Sequence, residues 1–237
     1  MQTVTATSAS RFSTPASAFM RGPAAMPAPL ARMQPAREVS LPPGVTRSLV
    51  KGEEIFAEGD ACDFFYKVVS GAIRTYKLLN DGRRQIDAFH LAGDIFGLEA
   101  GDEHRFSADA VNDATVFAYR RCTLESLSLR DAALSLQVVT SMMRNLARAQ
   151  DHMLLLGRKT AQEKIASFLL DMARRISCGE TFELPMQRSD IADHLGLTIE
   201  TVSRTLTQFA RDGVIELAAA SRAVILRDKA ALQRLNA

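Results

Sequence analysis

The chain has 237 residues, 47% of them apolar and 24% charged, with a formal net charge of +2. This is the length of one large or two small globular domains. The near-neutral charge excludes a polybasic protein held to nucleic acid by bulk electrostatics, so any such contact must come from individually placed residues. No run approaches the roughly 18 apolar residues of a membrane span. The three cysteines, Cys62, Cys122 and Cys178, lie far apart without a CxxC pair. That excludes a disulfide framework or a contiguous metal cassette and fits a reducing cytosol.

Residues 1–44 differ in kind from the rest of the chain. They hold Pro15, Pro23, Pro27, Pro29 and Pro35, are rich in Ala and Ser, carry Arg11, Arg21, Arg32 and Arg37, and show no acid before Glu38. A secretory signal is excluded because no apolar h-region is present. An organelle transit peptide shares the acid-poor, Arg/Ser-rich composition. The reading adopted is a disordered leader unable to bury enough apolar surface to fold.

Residues 45–125 read as a strand-rich barrel. From about Leu49, short apolar runs are broken by Gly, Asp and Asn: Ile55-Phe56, Phe64–Val69, Ile73–Leu79, Gln85–Leu91, Ala108–Val111 and Thr115–Tyr119. Asp81-Gly82 between the third and fourth runs is a hairpin signal, because both residues tolerate positive φ. Regular spacing of short strands predicts a jelly-roll. A metal-dependent enzyme on such a scaffold needs converging imidazoles, usually a His-x-His pair. Only His90 and His104 are present, and His104, beside Asp102-Glu103, reads as a solvated turn residue rather than a ligand. No Ser–His–Asp or Cys–His order has usable spacing, so the chain is read as a non-enzyme that needs no metal or cofactor.

Residues 126–157 read as one long helix, since Leu127 to Leu156 contains neither Gly nor Pro. Val139, Met142, Leu146, Ala149, Met153 and Leu156 recur at spacings 3-4-3-4-3, a coiled-coil seam. Leu134, Leu136, Val138, Met143 and Leu154-Leu155 give a second apolar face. The expectation is that the second face covers the barrel while the first pairs with another copy in a parallel homodimer. Packing of the seam on the chain's own barrel remains the alternative.

Residues 158–237 carry the most specific pattern. A helix from Thr160 through Arg174-Arg175 is followed by a loop with Cys178 and a short β-like Phe182–Met186. In Ser189–Leu206, Ile191, Ala192 and Leu195 form the inner face of a short helix, Gly196 permits a tight turn, and Thr198 caps a second helix whose inner residues include Val202, Leu206 and Phe209. Gly213 ends it, and Val214–Leu217 with Ala223–Leu226 form a wing. This is helix-turn-helix spacing. Glu200, Ser203 and Arg204 stand at i, i+3 and i+4, sharing the face where a recognition helix meets base edges. Arg204 can give two hydrogen bonds to guanine, Glu200 can accept from cytosine, and Ser203 permits close approach. Thr198, Thr201 and Ser189 suit phosphate oxygens or positioning. On an isolated helix, Glu200 and Arg204 would be only a weak surface pair. Residues 160–237 hold ten basic and ten acidic side chains, so this unit grips random DNA poorly and needs two half-sites.

In this order the pieces resemble the CRP/FNR superfamily of bacterial transcription regulators. The likeness runs from about residue 45 and rests on Phe56-Ala57-Glu58-Gly59-Asp60, Leu91–Gly97 and above all Ile199–Arg204. It implies an α+β protein: an N-terminal β-jelly-roll of the cyclic-nucleotide-binding kind, a dimerisation helix and a C-terminal winged helix-turn-helix. Glu-x-x-Ser-Arg at 200–204 looks like the FNR and FixK branches, which implies a TTGA-type palindrome in double-stranded DNA. Leu98–His104 with Phe106-Ser107-Ala108 looks most like the FixK group, which implies a cytoplasmic activator of microaerobic, denitrification or nitrogen-fixation genes. In family terms the hairpin tip Leu79–Gln85 meets RNA polymerase, with Arg83 and Arg84 facing an acidic partner or standing as a solvated turn.

The chain departs from the family pattern in several places. Cyclic-AMP-binding members use Gly-Glu-Leu and Arg-Ser-Ala, where this chain has Gly97-Leu98-Glu99 and Phe106-Ser107-Ala108. Without that arginine, nothing there offsets a phosphate charge. Oxygen-sensing members hold an iron–sulfur centre on N-terminal cysteines, and residues 1–61 contain none. Gln187 stands where Ser or Thr is common before the first motif helix, so Ser189 is expected to cap it. Cys178, after Arg174-Arg175, is either a redox-sensitive thiol with a lowered pKa or an inert linker residue. A small-molecule-gated regulator with an unidentified effector in the barrel is the alternative function.

Overall fold

The structure is a computed structural model and describes residues 44–121, 132–176, 179–218 and 222–236, all within one compact unit. Eight strands come first: β1 (Val45–Leu49), β2 (Glu54–Phe56), β3 (Phe64–Ser70), β4 (Ala72–Leu78), β5 (Arg84–Leu91), β6 (Ile95–Phe96), β7 (Ser107–Ala110) and β8 (Ala114–Arg120). They form two four-stranded antiparallel sheets, ordered β1-β8-β3-β6 and β2-β7-β4-β5. The interleaved order is that of a jelly-roll. Ile73, Val68, Val116, Ala108 and Ala110 are buried between the sheets with Phe56, Tyr66 and Phe96. The β3–β4 turn needs Gly71, whose φ is +78° and whose absent side chain would strike the backbone of Asp113-Ala114. At the β4–β5 tip, Leu79 N–H donates to Arg83 O at 2.8 Å and Gly82 lies at φ +83°.

Sequence reading missed β1, whose Val45-Thr46-Arg47-Ser48-Leu49 buries only Leu49 and so lacks alternation. It also misjudged His104. The ring is buried and stacks on Phe56 at a centroid distance of 3.6 Å instead of lying in solvent, because an imidazole on an aromatic face is stabilised by dispersion as well as by hydration.

Helix α1 (Ala132–Arg158) follows; the expected helical residues 126–131 and the Leu134 side chain lie outside the described part. The face toward the chain's own body is mostly polar. Buried Val138, Ser141 and Leu155 share it with Asn145, whose Nδ2 donates to Ile95 O at 2.9 Å, and Arg148, 3.0 Å from Asp94. The neighbouring flank carries Val139, Met142, Leu146, Ala149 and Met153, all exposed, Leu146 at 61% and Met153 at 66%. Two expectations need correcting. Leu136, Met143 and Leu154 do not cover the barrel but widen the exposed stripe. Leu156 leaves the seam, half-buried against the C-terminal core with its Cδ2 beside Gly196. Apolarity located the stripe but could not say which body each residue meets.

The remaining elements are α2 (Ala161–Ile176), β9 (Thr181–Glu183), α3 (Arg188–Leu195), α4 (Ile199–Arg211), β10 (Ile215–Leu217), β11 (Ala223–Leu226) and α5 (Lys229–Asn236). Thr160 and Glu163 start α2 with a capping box: Glu163 Oε2 accepts from Thr160 N–H at 2.6 Å, and Thr160 Oγ1 accepts from Glu163 N–H at 3.4 Å. The strands form a sheet of order β10-β11-β9. The eight-residue α5, too short for visible periodicity, went unpredicted; it seals the core with fully buried Leu232.

The core of this C-terminal unit is continuous with the outer face of β4–β5. Ile165, Phe168, Leu169, Leu195 and Phe209 cluster with the barrel's Ala72, Ile86 and Phe89. Cys178 and the wing tip 219–221 lie outside the described residues.

Candidate nucleic-acid interface

Helix α4 buries Val202, Thr205, Leu206 and Phe209, the i, i+3, i+4, i+7 stripe of a helix with one apolar face. Helix α3 buries Ile191, Ala192 and Leu195 against it. Gly196 ends α3 in the left-handed conformation, φ +61°, ψ +44°, which lets the chain reverse within two residues before Thr198. The expected cap on α4 is present: Thr198 is extended and its Oγ1 accepts from Thr201 N–H at 3.2 Å. The expected cap on α3 is not. Gln187 holds the N-cap position and Ser189 lies inside the helix, half-buried. The first turn closes instead through Asp190 Oδ2, which accepts from Gln187 N–H at 3.1 Å. A carboxylate three residues into a helix does this as well as a hydroxyl at its start.

The outward face of α4 brings Glu200, Ser203 and Arg204 together. Glu200 and Arg204 are exposed and Ser203 is half-buried. Glu200's carboxyl is held below its ordinary pKa by its own backbone N–H, then by the Thr198 hydroxyl, with the Arg204 charge contributing less. It is therefore an ionised acceptor at the positive end of the helix. Among the described residues no ion pair joins Glu200 to Arg204, so the guanidinium fork is uncommitted.

Two residues on this surface escaped sequence reading. Arg188, at the start of α3, donates from Nη1 to Ser203 Oγ at 3.3 Å and adds a second cation beside Glu200, Ser203 and Arg204. Ile199 is 48% exposed at the start of α4, an apolar group on an otherwise polar surface. Neither has a signal apart from its position relative to the motif. On the wing, Arg222 Nη1 donates to Pro185 O at 2.9 Å.

The two hairpin arginines separate. Arg83 is exposed and paired with Asp81, Nε to Oδ2 2.8 Å. Arg84 is not available to an outside partner: its Nη2 reaches Asp190 at 2.7 Å and its Nε reaches Asp193 at 2.9 Å, both on α3. Arg84 opens β5 and is turned toward α3, whereas Arg83 still belongs to the hairpin turn and stays in solvent.

Two histidines behind the motif are held neutral. His194 Nδ1 donates to Ile86 O at 3.1 Å and its ring stacks on His152 at 4.1 Å. Burial, then the neighbouring His152, pushes its pKa down to about 3. Burial also pushes His90, hydrogen-bonded to Thr75 Oγ1 at 3.1 Å, down to about 4. Among the described residues no group of three or more His, Cys, Asp or Glu is placed to hold a metal ion, and no helix is long and apolar enough to cross a membrane.

Known proteins match this geometry consistently. A Crp-like helix-turn-helix domain model matches residues 163–235 and a cyclic nucleotide-binding domain model matches residues 46–131. The chain is 47% identical over 198 residues to the nitrogen fixation regulation protein FixK of Azorhizobium caulinodans, covering 81% of this chain and 79% of that one. It is 44% identical over 167 residues to the transcriptional activatory protein AadR of Rhodopseudomonas palustris, covering 69% and 70%. The solved structure of FixK2 from Bradyrhizobium japonicum superposes with a TM-score of 0.77 at 46% identity, covering 82% of this chain and 98% of that one. The chain belongs to the CRP/FNR superfamily of transcription regulators, within its FixK-like group.

Proposed function

We propose that the protein is a homodimeric, sequence-specific DNA-binding transcription activator that reads a TTGA-type palindrome and governs microaerobic, anaerobic or nitrogen-fixation genes. The observation that carries this reading is the uncommitted outward face of α4, where Glu200, Ser203 and Arg204 stand together beyond a capped N-terminus. A guanidinium with no carboxylate partner among the described residues is suited to bidentate contact with guanine O6 and N7, and an ionised carboxylate to a cytosine amino group. Thr198 and Thr201, at the positive end of the helix dipole, suit phosphate, and Ser189 serves positioning. The regulatory names of the similar proteins support the gene class.

Pairing rests on the exposed stripe Val139, Met142, Leu146, Ala149 and Met153, which flanks the face of α1 bound to its own chain. A contiguous apolar strip of this kind marks a partner surface. A second copy supplies a matching strip in parallel register. Arg83 at the hairpin tip is the remaining candidate for contact with RNA polymerase. Footprinting on a TTGA-type palindrome with and without RNA polymerase tests specificity, symmetry and sign. Symmetric protection extended by polymerase is expected, and absence of protection at micromolar protein refutes the reading.

One observation favours a second reading, a ligand-gated regulator. A cavity of about 710 Å³ opens between β5, α1 and α2, lined in part by Phe89, His90, Asn145, Arg148 and Arg175. Cyclic AMP is a poor fit, since Phe106 stands where cyclic-AMP-binding members carry the arginine that offsets the phosphate. Calorimetry with cyclic AMP is expected to show no heat.

A further inference from the structure

The reading head, comprising α2 to α5 and the wing, is linked to α1 through the two-residue joint Lys159-Thr160, and α1 touches it besides through Leu156 and the His152–His194 stack. So short a joint tethers the head without fixing its angle, and the angle must come from non-covalent contacts. The most directional lie between the barrel hairpin and α3. Arg74 on β4 places Nη1 2.6 Å from Asp190 Oδ1, and Arg84 on β5 places Nη2 2.7 Å from the same oxygen while its Nε reaches Asp193 Oδ2 at 2.9 Å. Arg74 is braced from behind by Asp109, Nη2 to Oδ2 2.8 Å. Gln85 Nε2 donates to His194 O at 3.2 Å, on the same helix. Asp190, 4% exposed, also closes the first turn of α3. Its carboxylate therefore joins the start of the helix-turn-helix to the barrel. The Arg74–Asp190 pair is dry and directional, whereas Arg84 and Asp193 are part-exposed and Arg84 is shared between both carboxylates.

The head alone holds equal numbers of acidic and basic side chains over 160–237, so one head binds DNA weakly. A dimer gains because its second head binds at an effective concentration that rises as the head is held more stiffly in the correct place. We propose that Arg84 and Asp193, backed by Arg74 and Asp190, are positioning residues for DNA recognition. They fix the angle of the head to the barrel and α1, so that a dimer presents both α4 helices at one set spacing. This deepens, and rests on, the DNA-reading function proposed above.

The test uses the full chain as wild type, Arg84→Gln, Asp193→Asn and Asp193→Glu. Each is titrated against a TTGA palindrome, the same palindrome with one base pair added at its centre, and a single half-site. Wild type is expected to prefer the normal palindrome sharply. Arg84→Gln and Asp193→Asn should bind the half-site as wild type does, lose about tenfold on the palindrome and discriminate the two spacings less. Asp193→Glu, which keeps the charge, should recover most of the palindrome affinity. Melting and sedimentation verify that each variant is folded and paired. Unchanged palindrome affinity and spacing preference in both neutral variants overturns the proposal. So does an equal loss on the half-site, which marks damage to the head, or a failure of Asp193→Glu to outperform Asp193→Asn. If wild type itself ignores the palindrome, the function reading falls and the proposal with it.

Discussion

The two helices of the motif use their polar side chains in opposite ways. On α3, Asp190, Asp193 and His194 are all engaged with the barrel. On α4, Glu200 and Arg204 face outward, and among the described residues no carboxylate pairs with Arg204. One helix is held from behind so that the other can be offered to a ligand. The difference separates the charges that build the protein from those left for its partner. The same contrast divides α1, whose inner face carries Asn145 and Arg148 bonded to the barrel and whose outer face is apolar and open.

If this division is correct, the largest effect comes from the uncommitted cation. Arg204→Ala should abolish site-specific binding, since each bidentate guanine contact is worth ~1–3 kcal/mol and a paired protein makes two. The melting temperature should not move. A gel shift with unchanged affinity and selectivity would break the comparison at its centre. Next is the outer face of α1. Leu146→Glu sets like charges against each other in the pair at a cost of about several kcal/mol, and sedimentation should show monomer with the fold retained.

A smaller effect should follow from the inward side. His194 and His90 are neutral in the fold, with pKa values of about 3 and about 4 against an ordinary 6.5. The unfolded chain gains protons near pH 6.5 while the folded chain does not. Stability is therefore full above that pH and falls as pH drops toward the folded values, by at most ~1.4 kcal/mol per pH unit for each histidine. Calorimetric melts between pH 7 and 5 should show this loss, with a shallower slope in His194→Gln. The smallest effect belongs to Arg83→Ala, which removes an exposed pair with Asp81 and should leave the melting temperature where it is, because water screens such a pair. A clear drop would mean that the hairpin tip is built into the fold as its neighbour Arg84 is.

Much of this was legible from sequence because the decisive signals are local. Gly196, Thr198 and the spacing of Ile191, Leu195, Val202 and Leu206 specify two helices and a tight turn without reference to the rest of the chain. The jelly-roll strands were visible wherever alternation met Gly or Asp. What escaped depends on what touches what. The cap of α3 passed from Ser189 to Asp190 because a carboxylate inside the first turn was already bound to the barrel. His104 was hidden because its stacking partner, Phe56, lies far away in sequence. Arg84 and Arg83 are neighbours of identical chemistry, and only the folded contact of Arg84 with Asp190 and Asp193 separates it from Arg83 in the turn. Leu136, Met143 and Leu154 are apolar whichever body they face.

The open strip on α1 has a consequence for control in the cell. For a regulator whose halves must first meet, the amount of competent species rises as the square of chain number whenever chains are scarce. Doubling synthesis then does more than double operator occupancy, and modest proteolysis silences the regulated genes out of proportion. Such a protein can act as a steep switch through its abundance alone, with no small messenger to trigger it.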